Sequence, residues 1–147
     1  MRKGLVWLGF LAILAAASLA VAMRAAGGSD RPTPRGGTVV RVTERDFHIT
    51  APNQVKGGNV RISLRNSGPD HHELIMIRTR SARLPLRSDG LTVDEEALEK
   101  KTVEAVEPFP LGGTHDLRVH LAPGRYQLLC NMSGHYLAGM HRELVVR

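Results

Sequence analysis

The segment YQLLCNMSGHYLAGMHREL, residues 126–144, carries the only cysteine of the 147-residue chain. His135 follows Cys130 by five positions, and Met140 follows His135 by five. A thiol, an imidazole and a thioether within one loop make a set of soft and borderline metal donors. Gly134 and Gly139 give that loop the freedom to bend back on itself. Met132 lies in the same loop, but Met140 fits the spacing. A second imidazole must come from another part of the chain. SGPDHHEL, residues 67–74, offers two at the start of an apolar run. Neighbours on a strand point to opposite faces, so only one of them reaches a metal. The residues alone leave both His72 and His71 open.

Two imidazoles, one thiolate and a weak thioether form the donor set of a blue-copper electron-transfer site. Copper(I) favours sulfur and copper(II) favours nitrogen, so a mixed set serves both oxidation states without exchanging ligands. A rigid scaffold then leaves little to rearrange when an electron moves. A long axial thioether supports copper(II) less than a strong axial ligand would, which raises the potential. Leu129, Leu137 and Ala138 are expected to exclude water around the metal and raise it further.

The competing reading of Cys130 is a buried, inert thiol. The start of the chain argues against it. MRK is followed by the apolar run of residues 4–22, and AVA at 20–22 fits a small-x-small cleavage site. Residues 1–22 therefore read as a signal peptide or, uncleaved, as an N-terminal membrane anchor, and both place the domain outside the cytoplasm. A lone thiol in an oxidising compartment is exposed to oxidation and intermolecular pairing unless something such as a metal protects it.

The net charge is +6; removing Arg2 and Lys3 with the leader leaves 18 basic against 14 acidic residues, or +4. The basic residues are scattered and alternate with no aromatics, which excludes a nucleic-acid footprint. Residues 23–37 are rich in Gly, Pro and charge and read as a flexible linker.

The domain, residues 38–147, must hold four donors from two distant stretches, and its signals are mostly β. Val60, Ile62 and Leu64 alternate with Arg61, Ser63 and Arg65. HELIMIR reads as a buried strand, and Leu117, Val119 and Leu121 alternate with polar neighbours. Tyr126, Leu128 and Cys130 share one face of a further strand, and ELVVR closes the chain. Short strands between Gly/Pro turns predict an all-β sandwich. LTVDEEALEKK breaks the pattern. Thr92 with Glu95 reads as a capping box opening one short inserted helix over residues 93–101.

The pattern YQLLC, GH and GM resembles the copper loop of the cupredoxins, the plastocyanin and azurin superfamily, with a spacing most like rusticyanin and sulfocyanin. NSGPDHHELIMI resembles that family's other half, in which a turn precedes the N-terminal ligand histidine. The resemblance covers residues 38–147. It implies a Greek-key β-sandwich with His72, Cys130, His135 and Met140 as ligands to one copper ion. It further implies transient docking of redox partner proteins at an apolar rim around His135. Relatives often carry Asn after the first histidine, where this chain has Glu73; that carboxylate is expected to pair with an arginine or to accept from backbone amides of the cysteine loop.

Of the other histidines, His120 and His115 read as surface, on a strand and in a turn, and His141, next to Met140, as a candidate neighbour of the ligands. The alternative function is a periplasmic or extracellular copper carrier without a redox role. Enzymes are disfavoured. A trinuclear copper cluster needs His-x-His pairs, and a binuclear centre needs two cysteines; the sequence has neither. A monomer is expected, tethered to the membrane through residues 4–22 if the leader stays.

Overall fold

The computed structural model describes residues 37–147; the leader and all but the last residue of the linker lie outside them. The chain runs through β1 (Thr38–Arg45), β2 (His48–Thr50), β3 (Gln54–Val55), β4 (Gly58–Asn66) and β5 (His72–Arg78). After an excursion containing α1 (Glu95–Leu98) it continues with β6 (Thr102–Phe109), β7 (Thr114–Leu121), β8 (Gly124–Leu129) and β9 (His141–Val146). Two sheets result, in the orders β2-β1-β4-β7 and β3-β9-β8-β5-β6. The fold is the expected all-β sandwich with one short helix.

Alternation decides which face each strand buries. Val40 and Val42 on β1, Val60, Ile62 and Leu64 on β4, and Leu74 and Met76 on β5 join Tyr126, Leu128 and Leu144 in the main core between the sheets. Each such aliphatic side chain contributes about 1.5–3 kcal/mol by leaving water. The apolar run of β5 has a second cause. Its other face buries Ile75 and Ile77 against Leu84, Val93 and Leu98 of the excursion, with Leu129 and Tyr136. A strand covered on both faces reads as a continuous apolar run rather than an alternating one.

The excursion corrects the helix expected over residues 93–101. Val93 is buried and bridges Leu86 in a short β contact. Asp94, not Thr92, caps α1, accepting from the Ala97 amide at 3.1 Å. Glu99–Lys101 tightens into a 3-10 turn. Asp is as good a cap as Thr, and burying Val93 fixes the start two residues later than the box predicts.

The β-branched stretch of residues 38–49 is interrupted. Phe47 turns the chain between β1 and β2 with φ 56°, a left-handed conformation uncommon for a non-glycine residue. His115 lies in β7 rather than in a turn, with its ring edge-on to Phe109 at 4.7 Å.

Strand pairing brings the donors to one end of the sandwich. Antiparallel pairing of Ile75 with Leu129 sets the start of β5 beside the end of β8. Pairing of Leu129 with His141 then sets the end of β8 beside the start of β9. His72 opens β5, Cys130 follows β8 and Met140 precedes β9, so all three emerge at the same rim.

Candidate metal centre

The loop from Cys130 to Met140 is closed by its own backbone. The Cys130 amide donates to the Met140 carbonyl at 3.1 Å, extending the β8–β9 ladder by one step. Inside, His135 N donates to Met132 O at 2.8 Å and Met140 N to His135 O at 3.0 Å. Gly134 and Gly139 take φ of 81° and 103°, which glycine adopts without steric cost.

This folding places one ligand atom each of His72, Cys130 and His135 within 4.8 Å of one another. Cys130 Sγ lies 3.4 Å from His135 Nδ1, and the two imidazole rings approach to 5.3 Å between centroids. His72 and Cys130 are fully buried, while His135 is partly exposed. His71 is exposed, so the strand alternation selects His72 of the pair. Met140 is fully buried in the same core cluster as Cys130.

The donors fit a copper ion of mixed sulfur and nitrogen ligation. Nδ1 of His72 is buried and has no hydrogen-bond partner among the described residues. Such an orphan is costly in a metal-free core and is satisfied by ligation. Burial pushes the Cys130 thiol up to about 11, so the free protein keeps the proton that a metal must displace. Burial, then the neighbouring His135, lowers the pKa of His72, with Asp46 opposing; a neutral imidazole is the ligating form.

Glu73 turns back onto the cysteine loop, one of the two roles expected for it. Its Oε1 accepts from the Asn131 amide at 2.9 Å. Burial, with Glu95 next, raises its pKa to about 7, and the Asn131 bond works against the shift. Asn131 extends the link outward. Its Oδ1 accepts from Val93 N at 2.6 Å, and its Nδ2 donates to Val93 O and Glu95 Oε1. One polar cluster thus ties both ligand segments to the excursion.

The shell around the donors differs from the sequence reading. Leu129 is buried but belongs to the cluster on the outer face of its sheet, because it alternates with Cys130. Leu137 and Ala138 are exposed and form surface rather than a water-excluding wall. Phe47 takes the place assumed for them: its half-exposed ring meets the His135 ring edge-on at 5.3 Å. His141 is exposed and its ring packs 4.9 Å from that of Tyr136. Met132 is partly buried against the main core.

Asn131, Tyr136, Phe47 and Glu44 were not singled out from the sequence. A polar residue straight after the cysteine of an apolar strand was the available signal for Asn131. Glu44 had a weaker one, since it falls in step with Val40 and Val42 on the inward face of β1. Both Glu44 carboxyl oxygens are buried without a hydrogen-bond partner among the described residues. Burial, then the charge of Glu73, raises its pKa to about 8.

A two-sheet β-sandwich with these groups at one rim is the cupredoxin fold. Auracyanin A, a "blue" copper protein from the green thermophilic photosynthetic bacterium Chloroflexus aurantiacus, matches with a TM-score of 0.56 at 18% identity, over 76% of this chain and 100% of that one. Rusticyanin from Thiobacillus ferrooxidans matches at 0.55 and 16%, over 76% and 79%. An azurin from the methylotroph Methylomonas sp. strain J matches at 0.55 and 12%, over 76% and 99%. At these identities the likeness is one of fold. No protein-family model matches the sequence, and no relative among curated proteins does.

Proposed function

We propose that this chain is an exported type 1 copper protein that carries single electrons between redox partners. The observation that carries the reading is the convergence of His72, Cys130 and His135 within 4.8 Å in a cupredoxin fold, with only His135 reaching solvent. The two imidazoles, the Cys130 thiolate and the Met140 thioether would hold the ion. Bound there, copper supplies a one-electron couple between Cu(I) and Cu(II).

The residues of the chain do the rest. The β8–β9 ladder and the Glu73–Asn131 bond fix the donors, so that little moves between oxidation states. His135 offers a short path from the site to the surface. The exposed side chains of Phe47 and Leu137 beside it give an apolar rim suited to brief encounters with redox proteins. Buried ligands favour this reading over a copper carrier, whose task is release. The leader sequence supports export, and among the described residues no helix is long and apolar enough to cross a membrane. The single cysteine and the lack of His-x-His pairs in the sequence support a non-enzymatic role.

The test is copper(II) titration of the purified full-length chain. One equivalent should bind and give an intense thiolate-to-copper band at about 600 nm. Cys130→Ser should abolish the band and keep the β-sheet circular dichroism. A colour that survives the substitution would refute the thiolate assignment.

A further inference from the structure

His72 has two buried, unpartnered ring nitrogens, of which a metal ion takes one. Its Nε2 is buried and faces Asp46 Oδ1, from the turn after β1, at 3.5 Å. Neither atom makes a hydrogen bond among the described residues, to the other or elsewhere. Each is therefore the available partner of the other, since a buried polar atom left alone is costly. The contact is also enclosed. A side chain on Gly68 would put its Cβ 2.6 Å from Asp46 Oδ1, 2.8 Å from His72 Nε2 and 2.9 Å from Asp46 N. Gly68 is held there by its amide, which donates to the buried Asn66 Oδ1 at 2.9 Å, while Ser67 N donates to Glu44 O at 2.7 Å. The glycine takes no left-handed φ, so the reason for it is the close approach rather than the turn.

We propose that Asp46 is a positioning residue for His72. Its carboxylate accepts the Nε2 proton, which fixes the tautomer that leaves the buried Nδ1 as the free donor, and it places a negative charge behind the ligand. The proposal rests on the copper reading given above. A carboxylate behind a ligating imidazole orients the ring and makes it a stronger donor. The charge also stabilises the more positive oxidised metal over the reduced one. Asp46 thus holds the reduction potential below the value that the four ligands alone would set, and Gly68 leaves room for the pairing.

Two measurements test this on the full-length chain. The first needs no copper: nitrogen-15 NMR of the His72 ring in the metal-free protein at a pH where the ring is neutral. The wild type should show the proton on Nε2, and Asp46→Ala a mixture of tautomers. The second is the potential of the copper-loaded protein. Asp46→Asn keeps the shape and the acceptor but removes the charge, so its potential should rise. A tenfold loss in preference for Cu(II) over Cu(I) reads as a rise of about 59 mV. Gly68→Ala, which forces the two groups apart, should shift the potential in the same direction. A proton on Nδ1 in the wild type, or potentials unchanged in Asp46→Asn and Gly68→Ala, would overturn the proposal. Failure of the wild type to take up copper would instead defeat the functional reading, and the tautomer measurement would then decide the pairing alone.

Discussion

Glu73 Oε1 accepts a hydrogen bond from the backbone amide of Asn131 across 2.9 Å, joining the residue after one ligand histidine to the residue after the cysteine. The bond spans 58 positions of sequence and is partly buried. It pins the two halves of the metal centre to each other independently of any ion.

Removing the acceptor should therefore loosen the centre even in the metal-free protein. Glu73→Leu strands the Asn131 amide and should cost about 1–3 kcal/mol, read as a lower denaturant midpoint. Glu73→Gln keeps an acceptor and should cost less than half as much. Equal losses in the two variants would show that the bond contributes little.

Tyr136 anchors the ligand loop from its outer side. Its hydroxyl accepts from the buried Leu84 amide at 3.1 Å, and its ring packs among Ile75, Ile77 and Val93. Tyr136→Phe retains the packing and orphans Leu84 N, for a loss of about 1–2 kcal/mol. Amide hydrogen exchange should speed up at Leu84 and leave the β1–β4 ladder unchanged.

Glu44 should make the metal-free protein less stable as pH rises. Its pKa of about 8 when folded lies above the ordinary 4.5. Between those values the unfolded chain gives up a proton that the folded chain keeps, so stability falls with rising pH and levels off above about 8. Glu73, raised to about 7, acts in the same direction. Glu44→Gln should flatten most of the slope in urea melts run from pH 5 to 8.5 (roughly the span between the two pKa values). A slope unchanged by the substitution would contradict this account of Glu44.

Met140→Leu should retain copper and raise the potential, because loss of the weak thioether costs Cu(II) more than Cu(I). The swap nearly conserves volume in a fully buried site, so stability should change by less than about 1.5 kcal/mol. Loss of all copper would mean that the Met140 thioether is essential to holding the ion.

Most of the strands and the candidate donors were legible in the sequence by itself. Alternation on β4 and β8 is local, because side chains on a strand change face at every residue. The even spacing of Cys130, His135 and Met140 was legible because one loop carries all three. Strand parity also meant that only one of the adjacent histidines could serve, without saying which. Other features depended on partners far along the chain. Only the tertiary structure showed that Leu129 packs away from the centre, that Val93 buries itself and delays the helix to Asp94, and that Phe47 covers His135. The facing of Asp46 and His72 belongs to the same group, since Asp46 follows β1 of one sheet and His72 opens β5 of the other. A spacing rule reports which groups one segment can present. Which groups meet is set by pairing between β1 and β4 and between β5 and β8, and by the burial of whatever lies between the two sheets.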